Sequence, residues 1–148
     1  MMYFCKAIFT TSLLAFLFLT PISAGITEEQ MWATAKLMRD VCLPRFPKIN
    51  IELANQLRDG NIPDDNKDVK CYINCVLEMM QTMKKGKFLY EASLKQVDIV
   101  LPDSYKDDYR AGLLKCKDAS AGIKKDNCEA AYTILKCLRG EIKKFIFP

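Results

Sequence analysis

The chain has 148 residues, half of them apolar and 27% charged, with six Gly and six Pro, a composition that predicts one globular domain and no low-complexity tract. Its net charge of +4 is small and evenly mixed along the sequence, which argues against nucleic acid as a partner. There is no histidine, so Ser-His-Asp and Cys-His nucleophile pairs and His-ligated metal sites are excluded.

Residues 1–24 read as a secretory signal peptide. Lys6 supplies the positive charge, Ala7 to Leu19 is an apolar run broken only by Thr and Ser, and Ser23-Ala24 offers small residues at the cut. The run is shorter than the about 20 apolar residues of a membrane-spanning helix. Cleavage there removes Cys5 and leaves residues 25–148 as the expected mature domain, with an even set of cysteines: Cys42, Cys71, Cys75, Cys116, Cys128 and Cys137.

Helical signals follow one another along that domain. Thr27 with Gln30 forms a capping box, and Met31, Ala35, Met38 and Cys42 recur at helical spacing until Pro44 ends a first helix. Ile51 to Arg58 is a short second helix stopped by Gly60, and Asn61 to Asn66, containing Pro63, is a loop. A long third helix is expected from Lys67 to Lys84, a fourth from Tyr90 to Val100 before Pro102, and a fifth from Asp103 to Ala119, capped by Asp103-Ser104. Asp126 and Glu129 make a second capping box, opening a sixth helix that Gly140 should close. No stretch alternates as a strand. The fold class is therefore all-α, a six-helix domain held by disulfide bridges.

The third helix carries an apolar arc about 160° wide, formed by Val69, Tyr72, Ile73, Val76, Leu77, Met79, Met80 and Met83, where about 100° serves an ordinary surface helix. Either it is simply a central core helix, or it packs on two surfaces, one of them a cavity wall to which Met79, Met80 and Met83 lend adaptable side chains.

An even cysteine number in a small secreted domain implies disulfides. Zinc without histidine would need four thiolates, and the three- and eight-residue gaps do not match the usual two-residue knuckles. Cys71 and Cys75 lie one helical turn apart, and Cys128 and Cys137 are roughly 13 Å apart by helical rise, so neither pair can close on itself. Ten of the fifteen connectivities stay open on this ground, and each ties the third and sixth helices to other elements.

The spacing Cys42-x28-Cys71-x3-Cys75-x40-Cys116-x11-Cys128-x8-Cys137 resembles that of the insect odorant-binding protein family, the pheromone-binding and general odorant-binding type. The segments Lys70-Cys71-Tyr72-Ile73-Asn74-Cys75 and Gly86-Lys87-Phe88 and the end Phe145-Ile146-Phe147-Pro148 support the resemblance. It implies six helices around an apolar ligand cavity, bridges Cys42–Cys75, Cys71–Cys128 and Cys116–Cys137, and secreted carriage of small hydrophobic or volatile molecules to a chemosensory receptor. Two departures bear on chemistry. Ile73 and Leu77 are apolar where alcohol-binding relatives carry hydroxyls, so short alcohols are not the expected ligand, and release by histidine protonation has no histidine to use.

Within the carrier reading, the expected wall of the cavity comprises Met38, Ile73, Leu77, Met80, Phe88, Val100, Leu101, Ala131 and Leu138, closed by Phe145 and Phe147 of the tail, around a pocket of about 300–1,000 Å³. No catalytic group, metal, cofactor, nucleic acid or stable membrane insertion is expected, and the oligomeric state expected is a monomer or weak homodimer. Two other classes compete with the carrier reading. A cationic saposin-like protein acting on membranes would use Lys84-Lys85 and Lys143-Lys144, but the cysteine spacing does not fit. A hydrolase would draw on Asp64-Asp65 or Asp107-Asp108, although adjacent acids in loops and at helix starts mostly serve as solvated caps.

Overall fold

Polar caps begin four of the helices in the computed structural model, which describes residues 25–148; residues 1–24, with the expected signal peptide and Cys5, lie outside the described residues. Helix α1 (Glu28–Cys42) starts on the expected box, Gln30 N donating to Thr27 Oγ1 at 3.2 Å and Thr27 N to Gln30 Oε1 at 3.0 Å. Asn50 caps α2 (Ile51–Arg58) by accepting from Leu53 N, and Asn66 caps α3 (Lys67–Met79) by accepting from Val69 N. At the start of α6 (Asn127–Glu141), Asp126 accepts from Glu129 N, but the Glu129 carboxylate reaches Lys70 at 2.7 Å instead of turning back. The second half of that box is exchanged for a link between α6 and α3.

Three helix ends differ from the sequence reading. Helix α3 stops at Met79, because Gln81 takes a left-handed backbone, φ +57°, that the methionine spacing does not reveal. The chain then folds into a minimal hairpin, β1 (Met83–Lys84) against β2 (Lys87–Phe88), in the register Met83 to Phe88 and Lys84 to Lys87. Its two-residue turn, Lys85 at φ +51° and Gly86 at φ +73°, needs positive φ at both positions. After α4 (Tyr90–Val100), α5 (Asp103–Cys116) ends sooner than Ala119, and its first residue, Asp103, pairs with Lys106 and caps no backbone amide. Gly140 does not close α6, which continues to Glu141 before the backbone turns extended at Ile142.

The most extensive helix contact is between α3 and α6, and Val69, Tyr72, Ile73 and Val76 of the one and Ala130, Ala131 and Ile134 of the other are buried in a single core. Disulfides Cys42–Cys75, Cys71–Cys128 and Cys116–Cys137 join α1 to α3, α3 to α6 and α6 to α5, at Cα separations of 5.9, 4.5 and 5.8 Å. The four helices are thus linked in series. Each closed loop contributes about 3–4.5 kcal/mol in the chain-entropy model, enough to hold helices around a space that packing alone would collapse.

Candidate ligand cavity

Between α1, α4, α5, α6 and the C-terminal segment lies a cavity of about 110 Å³. Helix α1 presents Met31, Ala35 and Met38 to it, at i, i+4 and i+7, and α4 presents Ser93, Gln96, Val97 and Val100, at i, i+3, i+4 and i+7. Leu77 on α3, Met80 and Thr82 beyond its end, Phe88 on β2 and Leu101 before Pro102 form the next part of the wall. Tyr109 and Leu113 on α5 and Leu135 and Leu138 on α6 complete the helical part.

The tail after α6 covers the remaining side, and it is tethered along its length. Gly112 lets Ile142 pack on α5, since a Cβ there would stand 2.5 Å from Ile142 Cγ1. Asp108 Oδ2 accepts from the backbone N–H groups of Lys143 and Lys144 at 2.8 and 3.0 Å. The Tyr109 hydroxyl bonds Ile146, and Tyr72 donates to Pro148 O at 3.3 Å while the Phe147 ring stands edge-on to the Tyr72 ring. Burial pushes the Tyr72 phenol up to about 12, so it remains a neutral donor. Phe145, Ile146, Phe147 and Pro148 all face the cavity, and Phe147 is 2% exposed.

Chemically the wall offers almost only carbon. Among the described residues, no Asp, Glu, Lys or Arg side chain lines it. Thr34, Thr82 and Ser93 donate their hydroxyl protons to Gln30 O, Leu77 O and Leu89 O, at 3.0, 3.0 and 2.9 Å. Such a wall favours contact with apolar molecules.

Of the residues expected on the wall, Met38, Leu77, Met80, Phe88, Val100, Leu101, Leu138, Phe145 and Phe147 stand there. Ile73 and Ala131 do not. Both are fully buried in the core shared by α3 and α6, because the wide apolar arc of α3 spends one turn on α6 before Leu77 reaches the cavity. Met79 is 40% exposed and Met83 is buried in the hairpin, so the adaptable methionines on the wall are Met31, Met38 and Met80. The sequence reading places Val100 on the wall but not its α4 neighbours Ser93, Gln96 and Val97, nor the α5 residues Tyr109 and Leu113. The volume is also smaller than the expected range, below even the roughly 150 Å³ cavity known to take benzene.

None of the paired acids lines this wall, and three of the four bond elsewhere. Asp64 accepts from Lys136 and Tyr132, and these bonds hold its carboxyl below the usual range. Asp107 pairs with Arg110, and Asp108 anchors the tail.

The sequence model described as the PBP/GOBP family matches residues 24–141. General odorant-binding protein 19a of Drosophila melanogaster is 59% identical over 126 residues, spanning 84% of this chain and 86% of that protein. General odorant-binding protein 72 of Anopheles gambiae is 48% identical over 124 residues, spanning 84% of this chain and all of that protein, 100%. The crystal structure of odorant binding protein 4 of Chrysopa pallens superposes with a TM-score of 0.72 at 36% identity, over 83% of this chain and 99% of that one.

Proposed function

The chain belongs to the PBP/GOBP family, and from that premise we propose that it is a secreted carrier of small hydrophobic molecules, odorants or pheromones, which it holds in the cavity beneath its tail and conveys through aqueous fluid to chemosensory receptors. The observation that carries the reading is the chemistry of the wall. A hollow with no charged side chain among the described residues that line it, whose Thr and Ser protons are already spent on backbone carbonyls, is suited to holding an apolar molecule and not to transforming one. Bridging all six cysteines of residues 25–148 suits an oxidising, extracellular setting.

The small volume adds a condition. To take a ligand larger than benzene wholly inside, wall atoms have to move, and the parts able to yield are Met31, Met38 and Met80, whose unbranched side chains change rotamer readily, and the tail. Titration with N-phenyl-1-naphthylamine, followed by displacement with volatile apolar compounds, tests the reading. The wild-type chain is expected to bind the dye and release it to those compounds. Leu77→Asp, placing an unpaired carboxylate on the wall, is expected to lose at least tenfold in dye affinity. A folded wild type that takes up neither dye nor volatile would refute it.

A further inference from the structure

The polar groups of the wall are not all equivalent. Thr34, Thr82, Ser93 and Tyr109 each direct the hydroxyl proton to a backbone carbonyl, at 2.9 to 3.0 Å, and the Tyr109 oxygen accepts from Ile146 N as well. Gln96 stands on the same stripe of α4 as Ser93 and Val100, is half-buried, and makes no side-chain hydrogen bond to another described residue. An amide carries two N–H donors and a carbonyl acceptor, so it complements both ketone-like and alcohol-like groups. Trp32, whose indole N–H is also unspent, lies at the exposed edge with the Arg58 guanidinium over its ring.

Charge narrows the ligand further. With no Lys or Arg on the wall, a carboxylate drawn inside would lie among apolar side chains without a counter-ion, a cost that an uncharged group of the same size avoids.

We propose that Gln96 is the polar anchor of the cavity, and that the ligands selected are hydrocarbons bearing one uncharged polar group, a ketone, aldehyde, ester or alcohol, with carboxylates rejected. This rests on the carrier reading above. The hydrocarbon part lies along Leu77, Val97 and Leu138, and the polar group meets the Gln96 amide.

The test compares octane, 2-octanone and octanoate on the wild type, Gln96→Leu and Gln96→Lys. Headspace depletion reads the two volatiles, dye displacement reads octanoate, and circular dichroism checks folding. In the wild type, octanoate is expected to bind at least tenfold more weakly than 2-octanone. Gln96→Leu is expected to weaken 2-octanone about threefold to tenfold, the scale of one lost hydrogen bond, while octane holds or tightens. Gln96→Lys is expected to strengthen octanoate, a gain that loss of packing does not produce. The proposal is overturned if Gln96→Leu changes octane and 2-octanone by the same factor, or if wild-type octanoate matches 2-octanone. Failure of the folded wild type to bind any of the three overturns the carrier reading itself, and this proposal with it.

Discussion

Tyr109 holds Ile146 by both of its backbone groups: Ile146 N donates to the phenol oxygen at 2.7 Å and the phenol donates to Ile146 O at 3.0 Å. Desolvation keeps that phenol protonated well past its usual range, so the pair persists at any ordinary pH. The tail is therefore fastened to α5 by hydrogen bonds as well as by the burial of Ile142 and Phe147.

Tyr109→Phe removes both bonds and leaves the Ile146 N–H and C=O to be satisfied by water. The tail is expected to loosen by about 1–3 kcal/mol, two hydrogen bonds at about 0.5–1.5 kcal/mol net each. Amide exchange at Ile146 and Phe147 should accelerate at least tenfold with far-ultraviolet dichroism unchanged. Unaltered exchange would assign the fastening to Asp108 and Tyr72 alone.

Gly112→Ala attacks the same segment from its start. The new Cβ would stand 2.5 Å from Ile142 Cγ1, and Ile142 is 2% exposed, so the isoleucine has to move. The gain in helix propensity, about 1 kcal/mol, is outweighed by an overpacking cost of about 1–3 kcal/mol. A net loss of stability in urea denaturation, together with weaker dye binding, is the expected result. A variant more stable than wild type would show that Ile142 yields freely.

Much of this fold is legible in the residues because helix starts have local chemistry: Thr27 and Asp126, marked by their capping boxes, each accept an amide three residues on, as Asn50 and Asn66 also do. Helix ends carry less. Met80 and Met83 prolong the apolar rhythm of α3, while the left-handed turn at Gln81 that ends it rests on a residue with no strong signal. The hairpin is two residues per strand, too short to alternate. For the cavity, periodicity places Leu77 and Val100 on apolar faces but does not say which neighbour each face meets, and Ile73 and Ala131 fall to the core on that ambiguity. Ser93, Gln96 and Tyr109 escape notice because a polar side chain ordinarily marks the solvent side.

The pH response follows from which carboxylates are perturbed. Asp64, bonded to Lys136 and Tyr132, has its pKa lowered in the folded chain from an ordinary value of 3.8. A depressed folded pKa means that this link contributes in full above the unfolded value and is lost as pH falls through the folded one, below 3.8. With no histidine in the sequence, thermal midpoints and dye affinity should be nearly flat from pH 7 to about 5.5. In the strongly acid range, Asp64→Asn should lack part of the wild-type decline, a modest part because the site is exposed. A sharp loss centred near pH 6 in either quantity would contradict this.

The central claim is that the ligand sits in the cavity beneath the tail, and dye affinity of a chain ending at Lys144 tests it most directly. Phe145, Phe147 and Pro148 stand on the wall, and burying one such ring against a ligand contributes about 1.5–3 kcal/mol. Deleting Phe145 to Pro148 is expected to weaken dye binding tenfold or more, with helicity unchanged. Undiminished affinity in the shortened chain, accompanied by a shift from dimer to monomer on a sizing column, would make the tail an interface between copies and contradict the account.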